Sequence, residues 1–209
     1  MGRTDLIKGV NELRYNPKIK AKVDEKLKEF SFFHDKPELW FSELCFCILT
    51  ANSTAEQCIR VHKEIGQQFL TLPLEDLKRR MRQASCRFYN TRAKYIVEAR
   101  GKFDAVLVKD LADKDPKRAR AWLAENIPGI GVKEASHFLR NVGYSIAIAD
   151  FHIIDLLKRY RFLPAGIVLN WKNYIVIEQK LVEIAKMFKM SLGELDLYLW
   201  YLETGKILK

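Results

Sequence analysis

Residues 126–152 read Asn-Ile-Pro-Gly-Ile-Gly-Val-Lys-Glu-Ala-Ser-His-Phe-Leu-Arg-Asn-Val-Gly-Tyr-Ser-Ile-Ala-Ile-Ala-Asp-Phe-His. Ile127-Pro128-Gly129-Ile130-Gly131 is a tight turn between two helical patterns, and its glycines permit positive φ and close approach of another backbone. The helix opening at about Val132 carries Ala135, Phe138, Leu139 and Val142 on one face, three and four apart, and stops at Gly143 as its left-handed residue. The free N–H groups of the turn and of that first helical turn point outward, and the helix macrodipole adds partial positive charge, so a phosphate can sit there. Lys133 lies in this electropositive turn, a poor place for a second positive charge; a neutral amine is what attacks an electrophilic carbon. The apolar run Ile146-Ala147-Ile148-Ala149 then delivers Asp150 and His152.

Outward from this stretch every segment reads at the helical period, with no convincing alternation of period two, so the fold is expected to be all-α. Leu6, Val10 and Leu13 mark a first helix; Asn16-Pro17 interrupts it, and Ile19, Val23, Leu27 and Phe30 continue the stripe. Pro37 opens an apolar helix over Leu39 to Ala51, and Ser53 with Glu56 forms a capping box for the next, which ends near Gly66. Leu74, Leu77 and Met81 follow Pro73. Tyr95, Ile96 and Ala99 form another core stripe, and Asp115-Pro116 supplies an N-cap and first-turn proline for the helix that feeds the glycine turn. Beyond Asp150 come helices through Ile153 to Tyr160, through Tyr174 to Phe188, and from a Ser191/Glu194 capping box through Leu195, Leu199 and Leu202 to Gly205. The helix-turn-helix unit at the centre is placed at about residues 117–142.

The 209 residues suffice for one large domain or two small lobes, and 48% hydrophobic content supports a core. Lys and Arg outnumber Asp and Glu 36 to 26, a net charge of +10, which favours a polyanionic partner, although a heat-adapted surface reads the same way. No apolar run approaches a membrane span and no apolar stretch follows a basic start, so a soluble, intracellular protein is expected. Cys45, Cys47, Cys58 and Cys86 are too few and too poorly spaced for a disulfide framework or a four-thiolate metal site, and read as small buried thiols.

Arg79, Arg80, Arg82, Arg87 and Arg92 crowd one region with Phe88 and Tyr89 among them. Such a mixture suits a surface that tracks a phosphate backbone and stacks a base; a solvated helix edge with one core aromatic fits equally. Lys133 has a second account as a plain phosphate contact, and Asp150 as the N-cap of the following helix.

The glycine turn, the lysine two residues after its second glycine and the aspartate 17 residues further on resemble the helix-hairpin-helix-Gly/Pro-Asp motif of base-excision DNA glycosylases. The strings IGVKEASHFLRN at 130–141, CFCILTAN at 45–52 and LDLYLWYLETGKILK at 195–209 are similar to the archaeal-type 8-oxoguanine DNA glycosylase/AP lyase family, from about Trp40 to Lys209. The resemblance implies one glycosylase unit of two helical lobes, with the active site in the cleft between them, acting as a monomer on double-stranded DNA containing 8-oxoguanine. It implies a prokaryotic, cytoplasmic enzyme of use at the nucleoid. Lys133 is implied as the nucleophile that forms a Schiff base, and Asp150 as the catalytic carboxylate. Phe88 and Trp200 are implied to sandwich the extruded base, with Lys209 at the end of the chain reaching the pocket. Gly129, Gly131, Val132, His152 and Arg87 are candidates for the DNA backbone. No metal or organic cofactor is needed, and with no cysteine after residue 86 the iron–sulfur cysteines of endonuclease III-like relatives are not expected. Phe151 departs from the pattern, standing where a basic residue is expected. Two alternatives stay open: a helix-hairpin-helix glycosylase for another damaged or mismatched base, and a non-catalytic helix-hairpin-helix DNA-binding protein.

Overall fold

The computed structural model describes residues 2–208, and among these no strand occurs: the fold is all-α. In chain order the helices are α1 (Arg3–Tyr15), α2 (Pro17–His34), α3 (Trp40–Thr50), α4 (Ala55–Ile65), α5 (Gln68–Thr71), α6 (Leu74–Gln83), α7 (Tyr89–Arg100), α8 (Ala105–Lys114), α9 (Pro116–Asn126), α10 (Val132–Asn141), α11 (Phe151–Arg159), α12 (Trp171–Phe188) and α13 (Leu192–Thr204). No helix among the described residues is long and apolar enough to cross a membrane. The chain divides into two compact units, one built from residues 1–29 and 145–208, the other from residues 30–144.

The second unit forms around Trp40 and Phe138, both fully buried and edge to face with ring centroids 5.8 Å apart. Trp40 satisfies its indole N–H on the Phe33 carbonyl at 2.7 Å, which a buried tryptophan requires. Helix α3 is apolar on nearly every side because α4, α7 and α10 all pack on it. All four cysteines are buried and free, as their apolar settings suggested. Burial also raises the Cys45 thiol far above its ordinary range, so Cys45 is packing, not chemistry.

Two local features differ from expectation. The cap of α4 is Thr54, whose hydroxyl accepts from the Gln57 N–H, not Ser53. The Ser53 hydroxyl is taken by the Arg92 guanidinium at 3.0 Å. Helices α5 and α8 are additional to the expected helices, although the signals of α8 are ordinary: Asp104 caps the N–H groups of Val106 and Leu107, and Lys109–Asp113 and Lys114–Asp110 pair one turn apart.

In the first unit, α11 and α12 pack on α13, and α1 lies along α13 closely enough that a Cβ on Gly9 would stand 3.3 Å from the Leu202 side chain. Asn170 and Ser191 cap α12 and α13 through their side chains, and Gly205 ends α13 at φ +70°. The run Ile146–Ala149 is buried without forming a helix or strand, and it ends on Asp150.

Candidate functional site

In the second unit, α9 and α10 are joined by Ile127–Gly131, with Ile127 and Ile130 buried as the two apolar pins of the turn. The two glycines serve different purposes. Gly129 sits at φ +81°, where a side chain is strained, and a Cβ there would lie 2.4 Å from the Tyr95 ring. Gly131 is extended (φ −93°, ψ −175°) and makes no use of the positive φ a glycine permits; its lack of a side chain leaves room, because a Cβ would stand 3.0 Å from the Glu134 carboxylate. Replacing Gly129 by alanine is therefore expected to cost about 2–4 kcal/mol, left-handed strain and ring overlap combined. A fall in Tm of roughly 10 °C measures it, and a second change of Tyr95 to a smaller residue recovers part of the loss.

Lys133 occupies the second position of α10, its side chain 26% exposed, and its amine stands 3.4 Å from the Glu134 carboxylate. Desolvation by burial pushes the thiol of Cys58 on α4 up to about 11, partly offset by the positive charges of Arg92 and, more weakly, Lys133.

Phe88 is 54% exposed and held in the left-handed region at φ +55° as the N-cap of α7, with the guanidinium groups of Arg87 and Arg92 over its ring at 5.0 and 5.5 Å. A large exposed aromatic fixed in a costly backbone conformation by cation–π contacts is built to present a ring. Arg87 is exposed beside it. Arg92, grouped with the basic cluster by sequence, is 4% exposed and donates to Arg87, Ala51 and Ser53. It braces the Phe88 loop against the end of α3 and is not a phosphate contact.

In the first unit, Asp150 is the N-cap of α11, its Oδ1 accepting from the Ile153 N–H at 2.9 Å. Phe151, 64% exposed, lies against the His152 ring with centroids 3.9 Å apart, and His152 meets Trp200 edge to face at 5.0 Å. Trp200 is half-buried, and its indole N–H is buried without a hydrogen-bond partner among the described residues. One turn on, Glu203 pairs with Arg159 at 2.9 Å, tying α13 to the far end of α11. Lys209 lies outside the described residues. Two contributors escape the sequence pattern. Glu134 is signalled only by its place three residues after the glycine cap, and Glu203 by nothing local.

In chain order, then, a glycine turn between two helices, a lysine in the first turn of the second, and an aspartate capping the helix after a buried apolar run define a helix-hairpin-helix protein of the glycosylase class. The profile of the 8-oxoguanine DNA glycosylase family matches residues 23–190. The 8-oxoguanine DNA glycosylase/AP lyase of Methanocaldococcus jannaschii is 49% identical over 98% of this chain and 99% of its own, and that of Korarchaeum cryptofilum is 40% identical over the whole of both. A solved structure of the M. jannaschii enzyme in complex with a 15mer DNA containing 8-oxoguanine superposes with TM-score 0.89 at 47% identity, covering 98% of this chain and 99% of that one. The 8-oxoguanine DNA glycosylase of Thermotoga maritima does so with TM-score 0.89 at 40% identity, covering 99% and 100%. The chain belongs to the 8-oxoguanine DNA glycosylase family.

Proposed function

We propose that this protein is a bifunctional base-excision repair enzyme that excises 8-oxoguanine from double-stranded DNA and then cleaves the strand. The observation that carries the proposal is the Lys133 amine, partly exposed in the first turn of α10 directly after the glycine turn, in a chain whose relatives of nearly equal length are glycosylase/lyases. A base stacked in a duplex cannot be reached at its glycosidic bond, so the nucleotide is extruded first. The Lys133 amine attacks the sugar C1′ and the base leaves. Ring opening gives an imine, and that imine permits elimination of the 3′ phosphate, so one nucleophile accounts for both activities. Asp150 supplies negative charge to the oxocarbenium-like transition state. The nucleophile is the protein's own amine, so the chemistry calls for no metal or organic cofactor.

Phe88 and Trp200 take the faces of the extruded base, consistent with the exposure of the first and the half-buried indole of the second. Gly129, Gly131 and Val132 offer backbone to a DNA phosphate at the positive end of α10, and Arg87 and His152 are further phosphate contacts. The reading includes a monomer working on DNA in a prokaryotic cytoplasm, in keeping with archaeal and bacterial relatives.

Borohydride trapping tests the reaction, because it reduces the imine to a stable adduct. Duplexes carrying one 8-oxoguanine, one oxidised pyrimidine, one adenine mismatch or no lesion are compared. A covalent complex formed preferentially on 8-oxoguanine is expected. Preferential trapping on another lesion would move the substrate, and duplex binding with no trapping at all would leave a DNA-binding module without catalysis.

A further inference from the structure

Adjacent residues on a helix diverge by about 100° and do not face each other, yet Lys133 and Glu134 meet at 3.4 Å. The contact lies in the first turn of α10, just after its glycine cap. The Glu134 side chain is only 15% exposed, and its other oxygen lies against the Gly131 backbone, 3.0 Å from where a Cβ would stand. The carboxylate is thus wedged between the second glycine of the turn and the amine. Other titratable groups around Lys133 are differently engaged. Cys58 on α4 is a neutral thiol giving its proton to the Leu49 carbonyl, with Arg92 of α7 beside it. Further along α10, His137 lies edge-on against Phe46 of α3, Ser136 meets Arg120 of α9, and Asn141 meets Glu43 of α3.

We infer that Glu134 is a second catalytic carboxylate, the acceptor that takes the proton from the Lys133 ammonium before attack and returns it to the departing base. The inference rests on the proposed role of Lys133. An N–H bond of the ammonium breaks and an O–H bond forms on Glu134. The freed lone pair makes the N–C1′ bond while the C1′–N9 bond breaks and its electron pair leaves with the base. The base anion takes up the proton from Glu134, which ends as the carboxylate, and the lysine nitrogen ends as the protonated secondary amine on C1′. Net charge and protons balance without a co-reactant. The second glycine of the turn then has a chemical purpose as well as a steric one, since a side chain at 131 would press on the carboxylate, which must shift to make room.

The test is the single-turnover rate of trapping on an 8-oxoguanine duplex between about pH 6 and 9, for the parent, Glu134→Gln and Gly131→Ala, with Lys133→Gln as control. With Glu134 in place the rate is expected to vary little across that range. Without it the amine has no acceptor beside it for its proton, so Glu134→Gln is expected to be about a hundredfold slower near neutrality and to gain rate as the pH rises. Gly131→Ala is expected to fold, because the atom it meets is the end of a flexible side chain, and to fall between the parent and Glu134→Gln in rate, since the carboxylate is shifted but kept. A Glu134→Gln rate that parallels the parent at every pH, whether equal or uniformly reduced, overturns the inference. Trapping that survives Lys133→Gln would instead overturn the reading on which it rests.

Discussion

Lys133→Gln is expected to bind duplex DNA and to trap none of it. Glutamine keeps much of the length and hydrogen-bonding capacity of the side chain but has no lone pair that can attack C1′, so glycosylase and lyase activities fall together. The loss is expected to be about four orders of magnitude or more, roughly 5 kcal/mol of transition-state stabilisation. Stability changes by about 1 kcal/mol or less, because the side chain is partly exposed and the glutamine amide can still donate to the Glu134 carboxylate. Gel-shift affinity and borohydride trapping on the same 8-oxoguanine duplex separate the two effects. If the variant loses binding as much as trapping, Lys133 is a phosphate contact and the nucleophile must be sought elsewhere.

Asp150→Asn should fold as well as the parent and turn over about a hundred- to a thousandfold more slowly. Asparagine caps a helix about as well as aspartate, so the bond to the Ile153 N–H at 2.9 Å survives while the negative charge is lost. Asp150→Ala loses both and is expected to be about 1 kcal/mol less stable besides, a drop in Tm of about 3 °C. Thermal melts beside single-turnover rates read the two functions apart. An Asp150→Asn enzyme as fast as the parent would reduce the aspartate to a cap.

The places of Lys133 in the first turn of α10 and of Asp150 as the cap of α11 are legible in the sequence because their signals are local. A proline-glycine turn, a lysine at fixed spacing and an aspartate ahead of an apolar helix depend only on neighbours in the chain, as do the stripes of Ala135, Phe138, Leu139 and Val142, all buried as expected. Helix α8 shows that even local signals can be passed over when no motif draws attention to them. Arg92 failed for another reason. Its partners Ala51 and Ser53 are about forty residues away in sequence, so nothing nearby distinguished a buried brace from a basic surface residue.

The sequence by itself determined an all-helical chain, its family, and the lysine and aspartate on which the proposed chemistry turns, because helical period, turn chemistry and motif spacing are written in consecutive residues. Tertiary structure alone decided what each group touches: Gly129 against the Tyr95 ring, Arg92 on the Ser53 hydroxyl, the His152 ring against Trp200, and Arg159 clasping Glu203. Those pairings join segments far apart in the chain, and packing, not periodicity, brings them within reach.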